Sequence, residues 1–287
     1  MKHFVLTPNP YRDKGFRCAL YAERVLRKAG AETKICLPFD VDRNFDLPSG
    51  VKLHDLEASL KTCDAMICFG GDGTILHASK QAIRHNVPIL GVNVGTMGFI
   101  AELEASELDL LRRLVTDEFK LDQRKMLHTE VHRGNDVLYT DTALNDAVVT
   151  KGAVARVLQM SVQVDGVEAC KLSGDGVIVA TPTGSTAYSM SAGGPIVEPS
   201  ADNMIVTPIC AHALQTKSIV LPGNRTVTMQ IGSIGRKSAY LSVDGGRAFR
   251  LNAGDHIVVT MSDKHTDLIR IKNTSFYQII NKKFRDK

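Results

Sequence analysis

Along the first third of the chain, short apolar runs alternate with stretches in which apolar residues recur every three to four positions. "HFVLT" (3–7), "TKICL" (33–37), "DAMICF" (64–69) and "VPILGVN" (87–93) predict strands. The last is apolar on both faces, as in a parallel sheet covered by helices. Cys18, Ala19, Ala22, Val25, Leu26 and Ala29 fall on one helical face, with Arg17, Arg24 and Lys28 opposite. That spacing predicts a helix, stopped by Gly30. "ILHASKQAIRHN" (75–86) predicts a second helix and "SELDLLRRLVTDE" (106–118) a third, with Ser106 as N-cap. The alternation predicts an open α/β domain with a mostly parallel sheet over residues 1–121.

Beyond Asp122 the period shifts to two. "HTEVHRGNDVLYT" (128–140) predicts two strands around Gly134-Asn135, and "RVLQMSVQVDGVEACKL" (156–172) two more around Asp165-Gly166. "RTVTMQIG", "AYLSVDGG", "DHIVVTMSD" and "DLIRIK" predict further strands, interrupted by one helix-like piece, "GSTAYSMSAGG" (184–194). Residues 122–271 therefore read as a β-rich domain. "SFYQIINKKF" lies within a last segment, 272–287, that predicts a helix packing back on the first domain.

Composition narrows the function classes. At 287 residues each domain has enough chain for its own core. The formal charge of +4 is spread thinly, and only "KKFRDK" forms a basic run, which argues against nucleic acid as a partner. Six cysteines stand singly in apolar segments, with no C-x-x-C pair, and read as reduced, buried packing residues rather than disulfides or metal ligands. No apolar run is long enough to span a membrane, and the apolar stretch before Pro8 is short for a secretion signal. The expectation is a cytoplasmic protein with no membrane partner.

The chemistry concentrates in three loops. "GGDGT" (70–74) sits between a predicted strand end and a helix start, where open α/β sheets bind ligands. Gly70, Gly71 and Gly73, with Thr74, would let backbone N–H groups approach a phosphate. Asp72 is the odd member, because a carboxylate repels phosphate. It could hold Mg²⁺ on the phosphates, take the proton of an attacking hydroxyl, or merely cap the helix. "GVNVGTMGFI" (91–100) adds a second glycine loop. In "GDGVIVATPTGSTAYSMSAGGP" (174–195), hydroxyls cluster after an apolar strand in a way that suits phosphate or ribose oxygens, and Tyr188 offers a ring for a base to stack on. Asp175, Asn145 and Asp146 are further polar residues bracketed by strand. The segment lacks G-x-x-x-x-G-K-[ST], so it is not a P-loop.

"GGDGT", the Asn145-Asp146 pair, the 174–195 segment, "TPNPYRD" and "SFYQIINKKF" together make the chain resemble the NAD kinases, and the bacterial members in particular. "GGDGT" alone is shared with diacylglycerol-kinase-like lipid kinases and, more loosely, phosphofructokinases; "TPTGSTAYSMSAGG" is far more particular. The resemblance implies an α/β domain and a β-rich domain with the active site between them. It implies transfer of a phosphoryl group from ATP with Mg²⁺ to the 2′-hydroxyl of the adenosine ribose of NAD⁺, giving NADP⁺, and a homodimer or homotetramer. Asp72 would be the general base. Gly73, Asn145 and Asp146 would contact the dinucleotide's adenosine and diphosphate, and His77 would be a further NAD-binding residue. Thr186, Ala187, Tyr188 and Ser191 would wall the adenine, and Arg156, Ser173 and Asp175 would lie near the nicotinamide riboside. The metal would have no fixed protein ligand and would arrive with the donor. Three departures bear on affinity and nucleotide preference rather than on the reaction: Asp146 stands where the family usually has Glu, His77 where many members have Arg, and Gly246 where the family has Gln. ATP against other triphosphates or polyphosphate, and NAD⁺ against NADH, stay open. A lipid kinase, or a dinucleotide sensor with no activity, are the alternatives.

Overall fold

The computed structural model describes residues 1–41, 45, 47–95, 98–152, 157–212, 217–233 and 238–285. They form two units, Met1–Gln123 with Thr266–Lys287, and Arg124–His265.

The first unit opens with β1 (His3–Pro8), α1 (Arg17–Lys28), β2 (Glu32–Ile35), α2 (Leu56–Leu60), β3 (Ala65–Gly70), α3 (Asp72–Ala82), β4 (Ile89–Asn93), β5 (Leu103–Glu104) and α4 (Arg112–Val115). Its strands run in the order β2, β1, β3, β4, all parallel, with β5 parallel to the end of β4. Every residue of β3 and β4 is buried, which is why these strands read as unbroken apolar runs. Helix α1 buries Ala19, Ala22 and Leu26. It ends where the sequence places its stop: Gly30 adopts φ +90° and its N–H donates to the Arg27 carbonyl at 3.0 Å, while the Ala31 N–H donates to the Leu26 carbonyl at 3.0 Å. The start of α1 is less legible. The buried carboxylate of Asp13 accepts the N–H groups of Cys18 and Ala19 from outside the helix.

Ser106 does not cap a helix. Residues 105–111 form a 3-10 helix whose N-cap is Glu104, closed by a reciprocal capping box with Glu107, and only α4 continues as α-helix. The carboxylate at 104 reaches the free N–H groups before the serine does.

The second unit contains β6 (Lys120–Arg133, from Arg124), β7 (Asp136–Ala143), β8 (Asp146–Lys151), β9 (Leu158–Val164), β10 (Val167–Gly174), β11 (Gly176–Ala180), α5 (Tyr188–Ser191), β12 (Asn203–Ile209), β13 (Ile219–Pro222), β14 (Val227–Ile231), β15 (Ala239–Val243), β16 (Phe249–Leu251) and β17 (His256–Arg270, to His265). One antiparallel sheet has the order β13, β12, β11, β8, β15, β16. The other joins β10, β9, β14 and β17, with the β6–β7 hairpin beside β17. A single core draws Val149, Val177, Val179, Met204 and Leu241 from the first and Met160, Val162, Met229 and Val259 from the second. Val148, Ile178, Ala180 and Ile205 face the other way, against Ala192 and Val197. β11 is thus covered on both faces, and its apolar run has no polar alternation. Asp165 and Gly166 both take positive φ, as the hairpin reading requires.

The two strands expected from "DHIVVTMSD" and "DLIRIK" are one 15-residue strand, β17. The polar stretch Asp263-Lys264-His265, which reads as a break, is extended and exposed. From Thr266, within β17, the chain belongs to the first unit. Leu268 pairs with Ile89 of β4, and the buried Glu102 carboxylate accepts the N–H groups of Ile271 and Lys272. Helix α6 (Phe276–Arg285) follows.

All six cysteines are free, but the expectation that all are buried holds only for Cys36 and Cys68; Cys18, Cys63 and Cys170 are half-buried and Cys210 is exposed. Burial pushes the Cys68 thiol up to about 12, which leaves it inert as a nucleophile. Among the described residues no helix is long and apolar enough to cross a membrane.

Candidate active site

In the first unit the end of β3 turns at Gly71, the N-cap, and α3 begins at Asp72 itself. The Asp72 side chain does not cap the helix. Its two carboxylate oxygens reach out to the second glycine loop, where the Phe99 N–H donates to Oδ2 at 2.7 Å and the Ile100 N–H to Oδ1 at 3.2 Å. This disposes of the capping alternative for Asp72. Gly98 makes the approach possible, since a Cβ there would overlap the Asp72 carboxylate. Thr74 is buried, and its Oγ1 accepts the Asn9 side-chain amide at 2.9 Å. The hydroxyl of "GGDGT" thus ties the β1 loop to α3. Gly73 is exposed and lines, with Arg12, Gly71, Asp72, Val94, Gly98 and Lys283, a cavity of about 230 Å³. His77 lies farther along α3, exposed, with its ring edge-on to Phe39 at 5.7 Å.

In the second unit Asp146 opens β8 with Asn145 just before it, and a residue that sequence reasoning passed over organises them. Asp244 accepts the N–H groups of Leu144 at 2.7 Å, Asn145 at 2.8 Å and Asp146 at 3.1 Å. Its own N–H donates to the Asp146 carbonyl at 2.9 Å. The signal was present in "VDGG", a turn motif holding an acid, but which backbone groups it would meet is a matter of tertiary pairing. Asn145 is buried, and among the described residues its Oδ1 has no hydrogen-bond partner. A buried amide oxygen of this kind suits a ligand donor.

The hydroxyls of 181–189 face inward. Thr181 donates to the Leu144 carbonyl at 2.6 Å and accepts the Gly184 N–H; Ser185 donates to the Pro182 carbonyl at 2.7 Å; Thr186 donates to the Thr183 carbonyl. Thr183 accepts from Arg124, and Ser189 pairs with Thr207. These bonds fold the segment into its turn, and Gly184 lets it press on Asn145, whose carbonyl oxygen a Cβ would overlap. What the segment offers outward is Tyr188, 44% exposed, with Ala187 half-buried and Ser191 exposed. Asp175 forms an ion pair with Lys151 at 2.7 Å. Ser173, on β10, lines a separate cavity of about 640 Å³ with residues of β9 and β14. Arg156 lies outside the described residues. The structure thus brings together Asp72, Gly71 and Gly73 in one unit, and Asn145, Asp146 and the 181–186 turn in the other.

Burial, and then the nearby Asp244 carboxylate, pushes the Asp146 carboxyl up to about 7 from its ordinary 3.8. The folded protein therefore holds a proton that the unfolded chain has released. The resulting stability is fully present below the unfolded value and is lost as pH rises through about 7. Between about pH 5.5 and about pH 8 the melting temperature is expected to fall, by a contribution of about 2 kcal/mol in stability. Asp146→Asn should remove that part of the slope and melt higher than the wild type at the alkaline end. Melting curves of the two proteins across this range check it, and parallel profiles would show that Asp146 titrates as an ordinary carboxylate.

Comparison with known proteins follows the same division. Residues 46–119 match the family model of the ATP-NAD kinase N-terminal domain, and residues 144–271 that of the ATP-NAD kinase C-terminal domain. An NAD kinase from Acetivibrio thermocellus is 32% identical over 289 residues, spanning 98% of this chain and 96% of the relative. An NAD kinase from Archaeoglobus fulgidus, solved in complex with ATP, has a TM-score of 0.76 at 25% identity over the whole of both chains. Yeast NADH kinase, solved with NADH, shares the fold, with a TM-score of 0.85 at 24% identity over 99% of this chain and 88% of the other.

Proposed function

The chain belongs to the ATP-NAD kinase family, and from that premise we propose how its residues divide the work. It is a phosphotransferase that phosphorylates NAD, with NAD and ATP as substrates. The acceptor is the 2′-hydroxyl of the adenosine ribose. Its oxygen forms a bond to the terminal phosphorus of ATP, the bond from that phosphorus to the bridging oxygen breaks, ADP leaves, and the hydroxyl proton passes to Asp72. A ribose hydroxyl is hardly ionised at neutral pH, so a carboxylate taking its proton as the phosphoryl group arrives is worth about 10²- to 10⁴-fold.

One observation supports this reading above the others: the Asp72 carboxylate is fixed from behind by two backbone N–H groups and lies at a cavity walled by glycines and two cations. A carboxylate serving only the fold has no need of a phosphate-sized space beside it. Of the residues lining that cavity Asp72 is the sole acid, which fits a divalent cation carried in on the donor's phosphates and completed by their oxygens. Bound there, the cation would neutralise phosphate charge during transfer. On the acceptor side, Asn145 and Asp146 hold the adenosine and diphosphate, and Tyr188, Thr186, Ala187 and Ser191 wall the adenine. Ser173, Asp175 and Arg156 complete the contacts near the nicotinamide riboside. A homodimer or homotetramer is proposed on family likeness.

Incubation with NAD⁺, ATP and Mg²⁺, read by an NADP⁺-specific dehydrogenase, is expected to give NADP⁺ in proportion to enzyme. No NADP⁺ from a folded preparation that binds NAD⁺, with NADH and polyphosphate also tried, would overturn the assignment.

A further inference from the structure

We propose that Arg12 and Lys283 form a two-cation clamp on the terminal phosphates of the donor, an inference that rests on the ATP-to-NAD reaction just proposed. The two residues stand 271 positions apart, at opposite ends of the chain, yet both line the cavity that holds Asp72.

Each is placed by contacts that also set the reacting carboxylate. Arg12 sits in a turn fixed at three points. The Asn9 side chain donates to Thr74 of "GGDGT", the Arg12 and Asp13 N–H groups donate to the Asn9 carbonyl, and the buried Asp13 holds the first turn of α1. Lys283 lies with its ammonium 4.3 Å from the centroid of the Phe99 ring, and it is the Phe99 N–H that holds Asp72 Oδ2. The segment leading to α6 is anchored to the same loop, because Arg270 donates to the Ile100 carbonyl at 2.9 Å and Ile100 donates to Asp72. Helix α6 buries none of its residues, so its place owes more to these polar and ring contacts than to an apolar face.

Charge supplies the second half of the argument. A triphosphate brought beside the Asp72 carboxylate meets repulsion at the point where the terminal phosphorus must be approached. Two cations lining the same small space reverse that balance, and among the described residues neither is in an ion pair. A basic residue near a helix C-terminus also complements the helix dipole, and that simpler role would be shared by the whole last turn. Lys282 separates the two readings: it is adjacent in the same turn but lines a different cavity, with Glu102, Glu104 and Glu107.

The test is steady-state kinetics of the full chain, varying ATP and NAD⁺ in turn. Lys283→Met and Arg12→Met are each expected to raise the KM for ATP by about tenfold or more and to lower kcat, with the KM for NAD⁺ within about twofold of wild type. Lys283→Arg should recover most of the loss, and Lys282→Met should match wild type. Unchanged KM for ATP in the Arg12→Met/Lys283→Met double variant, a rise in the KM for NAD⁺ instead, or an equal loss in Lys282→Met would overturn the clamp. A measurement on the wild type covers variants that fail to fold. Inorganic tripolyphosphate should compete with ATP and protect Lys283, but not Lys282, from amine acylation followed by mass spectrometry; equal labelling of Lys283 with and without it would overturn the clamp. Wild-type NADP⁺ formation stands apart from all of these results. Its absence refutes the reaction, whereas a wild type that makes NADP⁺ while the variants keep their KM for ATP refutes only the clamp.

Discussion

Asp72→Asn is expected to lower kcat by about 10²- to 10⁴-fold while the KM for NAD⁺ stays within about twofold. The structure refines what this substitution does. Each carboxylate oxygen of Asp72 takes one backbone N–H, from Phe99 and from Ile100, so an asparagine must turn its amide group toward one of those donors and give up that bond. The variant therefore combines lost basicity with a local strain of about 1 kcal/mol. Two readouts separate them. If Asp72 is the base, kcat collapses and the melting temperature falls only slightly; the KM for ATP stays level or drops, because a negative charge has been removed from beside the phosphates. If Asp72 only anchors the 98–100 loop, asparagine keeps one of its two bonds and most of the turnover, and the cost appears in the melting temperature. A kcat within about threefold of wild type would therefore sink the base assignment.

The elements of the fold that were legible in the sequence are those whose determinants lie within a few residues of one another. The apolar face of α1, its stop at Gly30, the Asp165-Gly166 hairpin and the two-sided burial of β4 follow from local period and turn chemistry. The "GGDGT" loop could be singled out because an acid among phosphate-binding glycines conflicts with their chemistry. What escaped was a set of contacts from carboxylates to backbone N–H groups, one of them local but outside any helix period and the others long-range. Asp13 caps α1 from outside the helix, Glu102 receives residues 271 and 272, and Asp244 receives residues 144–146 from about a hundred positions away. Such contacts impose no periodicity, and each acid reads as a solvated turn residue until the chain is folded. The same holds for Arg12 and Lys283, which share a cavity only because the chain returns to its first unit from Thr266 on. The inward-facing hydroxyls of 181–189 show the opposite error. Composition suggests oxygens offered to a ligand, whereas most of these build the turn that presents Tyr188 and supports Asn145.

Asp244→Ala is expected to cost about 3 kcal/mol, a fall of roughly 10 °C in melting temperature, and to weaken NAD⁺ binding by about tenfold or more. Three N–H groups lose their shared acceptor, and bonds of this kind to a charged group are worth about 1.5 to 3 kcal/mol each before water replaces some of them. Asp244 also holds φ +51°, a conformation that aspartate and asparagine tolerate better than alanine does. Against these losses stands one gain: without the Asp244 charge, Asp146 is relieved of like-charge repulsion and its carboxyl should move back down from about 7. The net loss is therefore smaller than three charged hydrogen bonds would suggest. Asp244→Asn divides the effect, since its amide oxygen can keep the donors of Asn145 and Asp146 while its NH₂ faces that of Leu144, and roughly half the stability should return. Because Asn145 and Asp146 are the groups held in place, affinity for NAD⁺ should follow stability through the series wild type, Asn, Ala, while the KM for ATP moves little. Calorimetric melting and NAD⁺ titration of the three proteins measure both quantities. A wild-type melting temperature in Asp244→Ala would show that the turn is held by its strands alone, and an unchanged dissociation constant would remove Asn145 and Asp146 from the dinucleotide site.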